Sequence, residues 1–285
     1  MHPANIDALN VANVHYAGLA NNHTLDFCEE GLAETVKTLK TAGIKYAGAG
    51  ANREEALGPA ILPLPSESSN GQTYDVFIFS ASDHPSDWSD ISTFHFIDYT
   101  ASTRERLRNL LNPRNTTQPA LKVFSVHWGP NYSWEPADNI QSLAHFVIDE
   151  CGVDIVHGHS SHHIQGVEVY KKKLIIYGCG DFVDDYATNN EFRNDLGAIW
   201  RVIVCEQDKE LKKLGVERLE VFPTKTQFIA ETLHPEDDDY QWVSRRFKEL
   251  CASFNVEVKE VKTEEGEGKK LVVCMNESTS GLSCI

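Results

Sequence analysis

Short apolar runs alternate with amphipathic helices along this chain, and clusters of Asn, His and Asp follow the ends of the apolar runs. No other feature limits the possible folds as strongly. Strands that alternate with helices argue for a layered α/β architecture. Such folds place their sites just beyond the C-terminal ends of strands.

Read in order, Val11 to Leu19 is expected as a strand, followed by Asn21-Asn22-His23. Leu32, Val36 and Leu39 then recur at helical spacing, with Glu30, Glu34, Lys37 and Lys40 outward. Gly43 stands where a left-handed helix cap belongs. Further strands are expected at Ile44 to Ala47, Tyr74 to Phe79, Leu121 to Val126, Val153 to Val156, Gly166 to Tyr170, Leu174 to Tyr177, Ala198 to Cys205 and Gly215 to Pro223. Helices are expected at Thr103 to Leu111, Asn139 to Cys151 and Trp242 to Phe254. Pro63 to Thr73, rich in Ser, Pro and Gly, reads as a loop. The acidic run after His234 marks a boundary between residues 1–233 and a smaller segment, 234–285. Two short strands around Glu264 to Lys270 and a frayed tail, Asn276 to Ile285, are expected in that segment.

Composition narrows the function classes. Net charge is −16, which argues against a broad nucleic-acid-binding face and against anionic membrane surfaces. No run of 18 apolar residues is present. The opening MHPANIDALN lacks the basic and apolar regions of a signal peptide. The seven cysteines are scattered without a CxxC pair, as reduced thiols would be.

Three clusters could carry chemistry. In Asn21 to Asp26, an Asn amide oxygen can ligate a divalent metal, and His23 can protonate a leaving group while Asp26 orients its ring. The plainer alternative is a helix start with Asp26 as its cap. His127-Trp128-Gly129 ends a strand and places an imidazole suited to zinc, iron or nickel, though a lone His has many other roles. His157 to His163 holds four histidines in seven residues. That density favours metal or proton work. Gly178-Cys179-Gly180-Asp181 could place Asp181 at the site rim, but a tight turn is the favoured reading, and Asp184-Asp185 reads as a solvated pair rather than an acid/base dyad. Cys179 has no cationic neighbour in sequence to activate it.

The segments Leu19 to Asp26, Tyr46 to Gly50, His127 to Gly129, Asp154 to Gln165 and Tyr177 to Phe182 together resemble the CapA family of poly-γ-glutamate capsule biosynthesis proteins. They match its ANNHxxD, HWG, paired-histidine and YxxGNF segments in order, across about residues 2–255. The resemblance implies a calcineurin-like metallophosphatase fold, a four-layer α/β/β/α sandwich. It implies a site for divalent metal ions (Mn, Fe or Zn) and a metal-bound hydroxide that attacks phosphorus or carbonyl. Asn22, His127, His159 and His162 are implied as metal ligands, and His23 as the acid steered by Asp26. The family's Gly-His-His-Pro-His reads Gly158-His159-Ser160-Ser161-His162 here, so either His157 or His159 is the first ligand. Asp181 stands in place of the family's Asn.

The family's opening Gly-Asp strand and Asn-Leu-Glu segment, which carry acidic ligands, have no counterpart here. The fold is therefore expected to be N-terminally truncated and the acidic ligand set incomplete. The implied substrate is an anionic polymer or a small phosphoester, and a polyanion would need positive charge from the metals. The competing expectation is a non-catalytic binding or assembly component that keeps the fold.

Overall fold

A computed structural model describes residues 2–66, 71–113, 118–184, 187–208, 210–226, 229–264 and 268–275. The chain is mixed α/β with several sheets, as the alternation requires. It forms two compact units. The first comprises residues 1–128, 146–153 and 211–213; the second comprises 129–145, 154–210 and 214–285.

In the first unit, helix α1 (Ile6–Val11) precedes strand β1 (Tyr16–Gly18). Most of the expected strand Val11 to Leu19 is therefore not extended. Asn13 enters the left-handed region at φ 52°, which breaks the run and leaves three residues to pair. β1 pairs in parallel with β2 (Lys45–Ala47). Between them lies α2 (Cys28–Ala42), which buries Leu32, Val36 and Leu39 and ends at Gly43 with φ 76°. Leu32 and Val36 meet Ala20, Ala49 and Phe94 in one cluster. Each large aliphatic side chain buried this way contributes roughly 1.5–3 kcal/mol.

After α3 (Arg53–Leu57), strand β3 (Ala60–Pro65) pairs antiparallel with β4 (Thr73–Ser82), and β4 pairs in parallel with β5 (Leu121–His127). The expected loop at Pro63 to Thr73 thus begins three residues late. β3 ends its sheet, where prolines displace no ladder bond. Helix α4 (Ala101–Leu111) starts on a cap in which the Thr103 N–H donates to Thr100 Oγ1. The buried Lys122 of β5 donates to the carbonyls of Leu111 and Cys151 at 2.7 Å each and to Asn112 Oδ1 at 3.0 Å. It thereby satisfies carbonyls that the C-terminal ends of helices leave open. Helix α5 spans Asp138–Asp149.

In the second unit, β6 (Ile155–His159) pairs in parallel with β8 (Lys173–Ile176), which pairs antiparallel with β7 (Val167–Tyr170). β6 runs to His159, so His157 and His159 lie within the strand rather than beyond its end. A second sheet takes β11 (Ala230–Thr232), β10 (Lys213–Thr226), β13 (Lys269–Cys274) and β12 (Val258–Lys262) in that order, with β9 (Leu196–Asp208) also on β10. The two C-terminal strands flank Glu264 instead of centring on it. Helix α6 (Asp238–Ala252) opens on Asp237, Asp238 and Asp239, so the acidic run favours the positive end of the helix dipole. α6 buries Tyr240, Val243, Phe247 and Leu250 at helical spacing. The expected tail Asn276 to Ile285 lies outside the described residues. Among the described residues no helix is long and apolar enough to cross a membrane.

Candidate metal centre

The second unit gathers the strongest candidate. The loop after β6 carries Ser160 at φ 109° and His162 at φ 63°. Non-glycine residues adopt such angles when their surroundings fix them, often at functional sites. Here the Ser160 hydroxyl donates to the Gly129 carbonyl at 3.1 Å, and the Ser161 hydroxyl donates to the His163 carbonyl at 2.7 Å.

A second segment is folded against this loop. The Cys179 N–H donates to the Gly158 carbonyl at 3.0 Å, and the Gln165 N–H donates to that of Gly178 at 2.9 Å. A Cβ at Gly178 would collide with the Ser161 hydroxyl, so the loop's side chains pack directly against the Gly178 backbone. Gly180, at φ 74°, then turns the chain and delivers Asp181. The expected tight turn is present, and it also carries a site residue.

His162 Nδ1 lies 3.1 Å from each carboxylate oxygen of Asp181. Asp184 completes a group with these two in which one ligand atom from each lies within 4.8 Å of the others. Asp184 is thus half-buried beside His162, a correction to the reading of Asp184-Asp185 as a solvated pair; Asp185 itself lies outside the described residues. Burial raises the Asp181 carboxyl to about 6, with His162 opposing and Asp184 adding to the rise. His162 is raised from its ordinary value by its hydrogen bond to Asp181, against burial. One imidazole and two carboxylates make a nitrogen–oxygen donor set suited to Mn, Fe or Zn. On donor chemistry, these residues fit a divalent metal.

His157 and His159 project from the same face of β6, with ring centroids 5.7 Å apart. Burial lowers His157 to about 4, which keeps it neutral and able to ligate. Burial also pushes the Cys179 thiol up to about 12, so it has no thiolate character at neutral pH.

The first unit holds the other candidates. His23 Nδ1 lies 2.8 Å from Asp26 Oδ2, and both side chains are exposed. The His23 N–H donates to Asn21 Oδ1 at 2.9 Å, and Asn22 lies half-buried in the same turn. Asp26 is not the helix cap of the plainer reading: Phe27 holds that position without a side-chain bond. His127 is buried as the last residue of β5, its ring 4.6 Å from that of His84. His84 bonds Asp83, and the Tyr99 hydroxyl donates to Asp83 Oδ2 at 2.6 Å. Sequence reasoning missed Asp83 and His84. The available signal was their position just past the end of β4, next to Ser82, which pairs with His127 of β5.

The second unit therefore defines an α/β scaffold with an imidazole–carboxylate group at metal-ligand spacing. Residues 1–186 match the family described as "Bacterial capsule synthesis protein PGA_cap". The chain belongs to this capsule-synthesis family, the CapA proteins, as its motifs led one to expect. It is 32% identical over 269 residues to a "Probable polyglutamine synthesis accessory protein" of Mycobacterium tuberculosis, covering 90% of this chain and 67% of that one. It is 28% identical over 193 residues to "Capsule biosynthesis protein CapA" of Bacillus anthracis, covering 63% of this chain and 42% of the relative. With "PGA biosynthesis protein CapA" of Bacillus subtilis it shares 25% identity over 217 residues, 72% of this chain and 49% of the other. Among solved structures, a phosphatase from Mycoplasma pneumoniae is similar at 14% identity and TM-score 0.43, over 85% of this chain and 80% of that one.

Proposed function

We propose that this chain is a metal-dependent hydrolase-type protein acting in the synthesis or processing of an anionic extracellular polymer such as poly-γ-glutamate. The observation that carries this reading is the group His162, Asp181 and Asp184. A divalent ion, when bound, supplies a nucleophilic hydroxide near neutral pH and polarises the bond to be broken.

His162 and the two carboxylates are assigned to hold the ion. Asp181 contributes the negative charge that a set of neutral imidazoles lacks. Asn22, His127 and His159 are assigned as further ligands, following the family resemblance. His23 is assigned as the proton donor to the leaving group. Its contact with Asp26 sets the tautomer, leaving Nε2 as the atom that gives up the proton. The names of the relatives, which speak of polyglutamine synthesis, capsule biosynthesis and PGA biosynthesis, support polymer or capsule synthesis as the context. The word "accessory" in one of them supports a second reading, a binding component without turnover.

One experiment separates the two. Metal content per chain is measured by elemental analysis, and the metal-loaded protein is assayed on poly-γ-glutamate and on a simple aryl phosphate. Bound metal that is lost on Asp181→Asn, together with hydrolysis of either substrate, upholds the enzyme. Bound metal with no hydrolysis of either favours the binding component. No bound metal in the parent protein sinks the metal reading.

A further inference from the structure

A strip of half-buried rings leads away from the metal group within the second unit. The ring centroids of His162 and Tyr132 are 5.9 Å apart, those of Tyr132 and Phe192 5.6 Å, and those of Phe192 and Trp134 4.8 Å. The guanidinium of Arg246 then lies over Trp134, 4.4 Å from its ring centroid. Besides His162, these residues come from three separate segments, and each segment is fixed. The Tyr132 N–H donates to the Ser161 carbonyl at 3.1 Å, and the Gln165 side-chain amide donates to that of Ser133 at 2.5 Å. Phe192 sits in a turn whose N–H groups at Glu191 and Phe192 donate to Asn189 Oδ1. Arg246 lies on α6 one turn beyond Trp242, whose ring is 6.2 Å from that of Trp134.

Large aromatic side chains left half-buried beside a stacked arginine are the residue types that dominate binding surfaces. Arg246 differs from its neighbour Arg193. Arg193 is saturated, with 2.8 Å bonds to both oxygens of Asp195 and to Asp239. Arg246 holds Glu249 at 3.3 Å, and that carboxylate is exposed. A guanidinium stacked on an indole keeps its N–H donors in the ring plane, pointing outward, where they suit a planar carboxylate. In a chain of net charge −16, this is where an anion gains a partner next to the metal group.

We infer that the strip from His162 through Tyr132, Phe192 and Trp134 to Arg246 is a subsite for an extended polymer whose main chain carries repeated carboxylates separated by methylene groups. The inference rests on the proposed polymer-directed function and names the residues that would select the substrate. A γ-linked unit adds two main-chain carbons to the extended α-peptide step of about 3.5 Å, so one repeat reaches about as far as one ring spacing and the whole strip covers more than one repeat unit. Rings accept methylene groups, and Arg246 accepts a carboxylate. A neutral sugar chain would leave Arg246 without a charged partner, whereas a planar carboxylate suits its guanidinium.

The test is calorimetric binding of the full chain to γ-linked glutamate oligomers of two and eight residues, with polygalacturonate and a neutral glucan as controls. Binding is read without turnover, so an inactive metal group leaves the result interpretable. The octamer is expected to bind about tenfold or more tightly than the dimer, because only the octamer reaches Arg246. Arg246→Gln and Trp134→Phe are expected to abolish most of that difference. Arg246→Lys should recover part of it, since charge survives but the stack does not. Arg246→Gln is a half-exposed change, so it keeps the test valid if Trp134→Phe lowers the melting temperature. Equal binding of octamer and dimer overturns the inference. So does octamer binding unaffected by Arg246→Gln, equal binding of polygalacturonate or the glucan, or no binding of the octamer.

Discussion

Gly197 sits against the backbone carbonyl of Asp181 so closely that a Cβ at position 197 would overlap the oxygen. The opening of β9 is thus the wall behind the metal group. Gly197→Ala is expected to push Asp181 off His162 and to weaken metal binding about tenfold, a typical loss when a ligand's support is disturbed. Stability should fall by about 1–3 kcal/mol from overpacking. Metal titration beside thermal unfolding checks both. Unchanged affinity in a folded Gly197→Ala protein would mean that Asp181 does not bind metal.

Asp184 separates two descriptions of the same turn. If it is a ligand, Asp184→Asn should lower bound metal as Asp181→Asn does, since an amide lacks the charge of a carboxylate. If it is merely a half-buried surface acid, the metal content should stay at the parent value. Elemental analysis of the two purified variants decides.

Glu220 makes the fold sensitive to acid. It is buried, and it accepts from Arg201 Nε at 2.7 Å, Lys270 Nζ at 2.8 Å and Arg218 Nε at 2.9 Å. Burial alone would raise its carboxyl, but these three cations outweigh burial and hold it at about 2, below the ordinary 4.5. A carboxylate with a lowered pKa stabilises the folded state fully above its unfolded pKa. That contribution is lost as pH falls from about 4.5 towards 2. The shift corresponds to about 3 kcal/mol. Urea midpoints should therefore drop between pH 6 and pH 3, and Glu220→Gln should be less stable at pH 6 with a flatter profile. Equal slopes in both proteins would refute the assignment.

Lys122 offers a test of the first unit. Its ammonium is buried and satisfies two backbone carbonyls and one side-chain oxygen. Lys122→Met keeps the stem and removes the donors, leaving buried acceptors unmet. A loss of about 2–4 kcal/mol is expected, read from denaturant unfolding.

What the sequence disclosed follows from how local each signal is. Helix α2 was legible to its last residue because Leu32, Val36 and Leu39 repeat at helical spacing and Gly43 caps it locally. The segment before it was misread because Val11 to Leu19 is apolar enough for a strand, while the left-handed Asn13 that interrupts it leaves no compositional trace. The histidine loop was visible from its density. Asp184 was not, because its approach to His162 depends on the turn at Gly180 and on the backbone contacts of Gly178 and Gly197. Those are tertiary facts, and a pair of adjacent aspartates looks the same whether solvated or gathered.

The β7–β8 hairpin lies between His162 and Asp181, which are 19 positions apart in sequence. An ion held by both would close a loop of that length, a cross-link with modest entropic reach. Such a staple fastens one hairpin to its flanking loops. Metal should then protect residues 163–180 from proteolysis and hydrogen exchange more than it raises the global unfolding temperature, so occupancy would be reported by local protection rather than by a melting curve.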